Sequence, residues 1–226
     1  MKKTTVHILT LGIVMGILFL LAAVLFPTKA RKLNHMWQAT LTSKQGSITH
    51  ESKQQEGDNV SECVNEYEYE DRSDGFYYKR TTYNFEDDGT RKVVEMFESF
   101  ENGRKLAFDG GTPQEVPADV SIISANNLKD VIGGIWEELN RANVKNIEEE
   151  KNGEETIYHV EFAVKNKESE AGTLNPNVLS IYTKRTMTVT YNEQEKRIKR
   201  IDIMRTGVKN SAEYVPVSDQ DILTFK

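Results

Sequence analysis

The sequence predicts an α+β domain, mostly antiparallel β, in which a curved sheet is covered by one main helix and lies after an amino-terminal transmembrane helix. Three observations predict it. The chain has an uncharged apolar run from Val6 to Phe26, a two-residue alternation of apolar and polar side chains over most of the chain beyond that run, and one internal segment with helical spacing.

The apolar run has 21 residues, which as a helix rising about 1.5 Å per residue cross roughly 30 Å of hydrocarbon. A cleavable export signal has an apolar region of only about 7–15 residues and a small-x-small cleavage site. The best match here, Thr28-Lys29-Ala30, has threonine at its outer position, and Val24 stands where a lipoprotein signal needs cysteine after "LLAA". The run is therefore expected to stay attached as a signal anchor. Positive charge is almost balanced across it, Lys2 and Lys3 against Lys29, Arg31 and Lys32. The short leading flank and the exported character of the rest place the amino terminus in the cytoplasm. The expected division is 1–32 for tail, anchor and basic flank, and 33–226 for a single extracytoplasmic domain. The protein is thus expected in the cell membrane as a single-pass protein, held through residues 6–26.

Removing the five basic residues of positions 1–32 from the 29 in the chain leaves 24 against 35 acidic ones, a net of −11 beyond the anchor. Such a surface repels phosphate backbones, so no nucleic-acid partner is expected. The single Cys63 cannot form an internal disulfide, which suits a bacterial envelope protein held by its core alone.

The elements can be taken in chain order. "MWQATLTSKQGSITHESK" is expected to be the first strand, with Trp37, Ala39 and Leu41 on one face and a turn near Gly46. "CVNEYEYEDR" sets Tyr67 and Tyr69 opposite Glu66, Glu68 and Glu70. "FYYKRTTYNF", "KVVEMFESF" and "KLAFDGG" continue a meander, with turns at Asp88-Gly89 and Asn102-Gly103. "GGTPQEVPADV" reads as a loop. The main helix is expected over Asn127–Ala142, capped by Asn126, with Leu128, Val131, Ile132, Ile135 and Leu139 on its apolar stripe and Gly133 and Gly134 weakening it. Next comes a hairpin about Asn152-Gly153, in which Tyr158, Val160, Phe162 and Val164 share a face. After the loop "KNKESEAGTLNPN" come two long strands, "LSIYTKRTMTVTY" and "RIKRIDIMRTG", and a short one near "DILTFK".

The succession "MWQATLTSKQGSITHESK", "GRKLAFDGG", a helix, "EETIYHVEFAV" and "MTVTYNEQEKRIKRIDI" resembles the bacterial lipoprotein-carrier superfamily of LolA and the LppX-type lipoproteins, over residues of about 35–226. The resemblance implies an antiparallel half-barrel with a helical lid and acyl chains held between them. Two features depart from it. "PTKARKLNH" leaves little room for the carriers' long amino-terminal helix, and Phe108 stands where their strand has a tryptophan-tyrosine pattern.

Catalytic chemistry finds little support. His50 is expected in a loop, His159 on the solvent face of its strand, and no local signature joins His159 to Cys63. No zinc spacing, calcium loop, phosphate loop or serine elbow occurs, so no enzyme activity, metal or cofactor is expected. The glutamates of "IEEEKNGEE" read as a solvated sheet edge. The function expected is binding of an apolar ligand, such as a lipid acyl chain, in a cavity lined by Tyr67, Tyr69, Met96, Ile132, Ile135, Trp136, Leu139, Tyr158, Val160, Phe162 and Met187. The alternative is an anchored cell-envelope interaction domain with a filled core, meeting a protein or cell-wall partner through its acidic surface.

Overall fold

The computed structural model of the chain describes residues 28–73, 75–85, 89–101, 104–109, 114–116, 132–164, 169–171, 179–209 and 215–226. The expected membrane span at 6–26 and the expected helix up to residue 131 lie outside the described residues, as do Asp88, Asn102 and Gly103. No helix among the described residues is long and apolar enough to cross a membrane.

Among the described residues the dominant element is an open, curved, antiparallel sheet, covered by one α-helix of more than a turn, α1 (Lys29–Leu41). The strands of its first half are β1 (Gln45–Glu56), β2 (Asn59–Arg72), β3 (Gly75–Phe85), β4 (Arg91–Glu101), β5 (Arg104–Asp109) and β6 (Gln114–Val116). Those of the second are β7 (Val144–Asn152), β8 (Glu155–Phe162), β9 (Ser169–Ala171), β10 (Leu179–Asn192), β11 (Arg197–Lys209) and β12 (Pro216–Phe225). The sheet order is β6-β5-β4-β3-β2-β1-β12-β11-β10-β8-β7, with β9 on β10. Two meanders are therefore joined where the first strand pairs with the last, from Ile48 opposite Phe225 to Glu56 opposite Val217. The final strand, expected to be short, is instead ten residues long, and it lies in the middle of the sheet between β1 and β11. Its burial alternates from Val217 to Phe225 because successive side chains point to opposite faces of the sheet, while its polar inward residues Asp219 and Asp221 hide that alternation from a hydrophobic pattern. The short β6 and β9 fall in segments expected to be loops.

The largest correction lies before β1. Residues 37–41, expected in the first strand, belong to α1. Leu33, Met36, Trp37, Thr40 and Leu41 are buried at helical spacing, whereas Ala39, required inside by the strand reading, is exposed. Thr28 caps the helix, its Oγ1 accepting from Arg31 N at 3.3 Å. Gly46, expected in a turn, instead lies in β1, where a Cβ would come within 2.8 Å of both Lys226 O and Tyr69 Oη. The turn is at Gly57-Asp58, with Gly57 at φ +59°. Gly153 plays the same part between β7 and β8 at φ +62°, and Gly89 takes +80° between β3 and β4.

The second correction concerns the part of the expected main helix that follows Ile132, residues 133–142. Of the described part of that helix, Ile132 is helical, Gly133–Ile135 makes a single 3-10 turn, and residues 137–140 are irregular. Paired glycines cost a helix roughly 1 kcal/mol each, and α1 supplies the stronger alternative. Asn34 Nδ2 donates to Leu139 O at 2.8 Å, while Leu139 N and Trp136 Nε1 donate to Asn34 Oδ1 at 3.1 and 3.2 Å. Among the described residues, the helix that covers the inner face of the sheet is α1.

Curvature has a local cause in bulges between Tyr182 and Lys184, Thr190 and Tyr191, Thr81 and Thr82, and Val144 and Asn146. At the first of these, Gly207 faces Tyr182, and a Cβ on it would sit 2.1 Å from Ile181 O. Only glycine allows β10 and β11 to approach that closely.

Candidate functional site: a groove beside the covering helix

α1 is locked to the second half of the sheet by contacts along its whole length. Lys29 Nζ donates to Ile147 O at 3.1 Å, and Lys32 Nζ lies 5.3 Å from the centre of the Tyr158 ring. Thr40 Oγ1 donates back to Met36 O at 2.9 Å and accepts from Ile198 N at 3.2 Å, which pins the helix end to the start of β11. Beneath the helix the core is closed, with Leu33, Tyr158 and Ile198 at 0 % exposure.

On its other flank α1 borders a groove of about 380 Å³, lined by Arg31, Asn34, His35, Trp37, Gln38, Leu41, Trp136 and Glu138. Trp37 and Trp136 stack with centroids 5.0 Å apart and planes 13° apart, and Phe225 meets Trp37 edge-on at 6.1 Å. The second wall is held in place by the Asn34 clamp and by Arg185 Nη1, which donates to Glu137 Oε2 at 2.8 Å. The volume lies in the range of small-molecule sites, and the mixture of two indoles, one leucine and a few polar groups is that of a pocket for an amphipathic ligand.

The residues expected to line a cavity do converge. Tyr67, Tyr69, Ile132, Leu139, Tyr158, Val160, Phe162 and Met187 are buried in one cluster, and Ile135 and Trp136 pack against it partly buried. α1 fills the space they enclose, so of this set only Trp136 lines the groove. Met96 lies on β4 in register with Asp109. The remaining groove residues come from α1, which reading 37–41 as a strand concealed. Their signal was present in the spacing of Leu33, Met36, Trp37, Thr40 and Leu41 behind a capping threonine.

A second constellation, missed because its residues are polar, lies on the same inner face. His50, expected in a loop, is buried on β1 with Ser52, against Asp221 of β12. His50 Nε2 stands 3.0 Å from Asp221 Oδ1 and 3.0 Å from Ser52 Oγ. Ser52 Oγ donates to Asp221 Oδ1 at 2.9 Å, and Arg205 Nη1 to Oδ2 at 2.8 Å. Burial opposes ionisation of Asp221, but the hydrogen bonds and charges of His50 and Arg205 outweigh it and bring the carboxyl down to about 2. The residue types are those of a serine hydrolase, but the geometry differs. Catalysis needs the acid on one imidazole nitrogen and the serine on the other. Here both meet Nε2, and the serine proton points to the carboxylate. The cluster is a satisfied ionic network next to Asp219, whose Oδ2 accepts from Tyr182 Oη.

Cys63 and His159 lie on β2 and β8, with β1, β12, β11 and β10 between them. Burial pushes the Cys63 thiol up, away from thiolate chemistry. Glu148, Glu149 and Glu150 are exposed on the edge strand β7. Among the described residues, no group of three or more His, Cys, Asp or Glu side chains could hold a metal ion. In comparisons with known proteins, the chain matches no family model and no curated protein.

Proposed function

We propose that this chain is a membrane-anchored extracytoplasmic binding domain, bacterial in type, that takes an apolar chain such as a lipid acyl group into the groove between α1 and residues 136–138. One observation carries the reading: the groove is built on the first helix after the apolar run 6–26, with only Pro27 and Thr28 between them. A site there, floored by two stacked indoles, stands at the lipid surface whenever the run spans the bilayer. α1 also supports an uncleaved anchor. The best cleavage motif, Thr28-Lys29-Ala30, forms the cap and first turn of α1, and cutting after it would remove both the Thr28 cap and the Lys29–Ile147 contact.

The likeness to the lipoprotein-carrier superfamily gains a helix ahead of the first strand, for which "PTKARKLNH" alone leaves little room, and keeps the open curved antiparallel sheet. Shuttling is not part of the proposal, since an anchored chain stays in its own membrane. A second reading, an interaction domain meeting a basic envelope partner, draws on the closed packing of α1 over the sheet and on the acidic edge of β7.

Photocrosslinking distinguishes the two. The full chain, in membranes containing a lipid with a diazirine on its acyl chain, is irradiated and its labelled peptides are mapped. Labelling of the peptide carrying Trp136 supports the groove. Labelling confined to residues 6–26 contradicts it and leaves the interaction reading.

A further inference from the structure

We infer that the lipid taken by the groove is a monoacyl one, a single-chain phospholipid rather than a diacyl lipid of the surrounding bilayer. This rests on the groove being the lipid site proposed above, and names the class of lipid that fits it. Two measures of the groove give the same chain. Its volume of about 380 Å³ holds roughly twelve carbons, at about 30 Å³ for a methylene, close to a water's share of liquid volume. The groove residues of α1 run from Arg31 to Leu41, about 15 Å along the helix axis. A saturated chain advances about 1.25 Å per carbon, from a bond length of about 1.5 Å and an angle of about 111°, so this length also matches about twelve carbons. A second chain doubles the volume needed.

The surfaces of the groove also suit one chain. Its floor is apolar, with Trp37 and Leu41 buried and Trp136 partly so. Polar atoms of that wall are engaged with one another, because Asn34 Oδ1 accepts from Trp136 Nε1 and Leu139 N while Asn34 Nδ2 donates to Leu139 O. The rim is different, being made of the exposed side chains Arg31, His35, Gln38 and Glu138. A second chain would lie across that rim, where charged and amide groups give it no apolar cover. Burial free energy scales with the apolar surface removed from water, so a diacyl lipid leaving the bilayer regains in the groove only about half of what it loses. A monoacyl lipid has one chain to move, and one chain is held by a bilayer only marginally and reversibly. The rim holds both a guanidinium and a carboxylate, so it is the number of chains, not the sign of the headgroup charge, that the groove distinguishes.

Trp37 and Trp136 are the chain's two tryptophans, and both line the groove. The full chain is reconstituted into phosphatidylcholine vesicles and titrated with either lysophosphatidylcholine or diacyl phosphatidylcholine, each with brominated chains of about twelve carbons. The headgroup is then constant and only the number of chains varies. The inference predicts tryptophan quenching by the brominated lysolipid that saturates at low mole fraction, with about a tenfold preference over the brominated diacyl lipid. Unlabelled lysolipids compared at equal mole fraction should relieve that quenching well up to about twelve carbons and progressively less beyond, since each further carbon leaves the bilayer without entering the groove. Equal saturable quenching by the two brominated lipids, or a preference for the diacyl one, overturns the monoacyl inference while the lipid site stands. Competition that does not fall with chain length overturns the fit on which the inference stands. Quenching that only tracks mole fraction for both lipids removes the lipid site and the inference with it.

Discussion

Asn34 and Leu139, 105 residues apart, are joined by reciprocal hydrogen bonds in which the side-chain amide of one meets the backbone of the other at 2.8 and 3.1 Å. The same Asn34 Oδ1 accepts from the Trp136 indole, so one side chain holds an irregular segment against the helix and shapes the groove.

Asn34→Leu removes this clamp and leaves Leu139 N without its partner. An unmade hydrogen bond in a partly buried place costs about 1–3 kcal/mol. The denaturation midpoint should fall accordingly, and Trp136 emission should shift to the red before global unfolding. A variant with unchanged stability and unchanged emission would show that the segment holds its position without Asn34.

Gly207→Ala places a methyl 2.1 Å from Ile181 O, which the strands can relieve only by separating. Overpacking of this kind costs about 1–3 kcal/mol. Gly153→Ala meets nothing within 4 Å and bears only the strain of its positive φ, about 1 kcal/mol. Urea unfolding should therefore rank Gly207→Ala below Gly153→Ala, and the reverse order would contradict the role given to the β10–β11 bulge.

Asp221 supplies a pH dependence of definite sign. Its carboxyl falls from the ordinary 3.8 to about 2, so the folded state holds that proton more weakly than the unfolded one. The stabilisation is complete above about pH 4 and is lost as pH falls through about 2, amounting to about 2 kcal/mol. Asp221→Asn should lower stability at neutral pH and flatten the acid limb between those values. An acid limb identical to that of the native chain would mean that another carboxylate governs it.

Strand content was readable wherever the inward face is apolar. Tyr67 and Tyr69, and Tyr158, Val160 and Phe162, alternate with charged or polar neighbours, and each set is buried as that pattern requires. The reading failed where polar residues face inward. His50, Ser52 and Gln54 on β1 and Asp219 and Asp221 on β12 lie on strands that pair with each other but that no local window joins. It failed again at Trp37, Ala39 and Leu41, where alternation over three apolar residues outweighed a helical spacing that begins at Leu33. In the segment from Ile132 to Leu139 the apolar spacing was real, and both of those residues are buried. There the Asn34 contacts and two glycines favour an irregular backbone over a helix. The groove was therefore legible only in Trp136, because its other wall is α1.

The anchor makes a prediction of its own. Intact-mass measurement of the native protein should give the full-length chain, with or without its initiator methionine, because removal of residues up to Ala30 deletes the cap of α1. A mature chain beginning at Arg31 would contradict the anchor.

The central claim, that the groove of α1 and Trp136 holds one lipid, is tested most directly by native mass spectrometry of the full chain released from micelles. The groove predicts a species carrying one phospholipid, and its loss in Leu41→Glu and Trp136→Glu variants whose circular dichroism matches the native chain. A lipid-free native chain, or an adduct that survives in both variants, would contradict it.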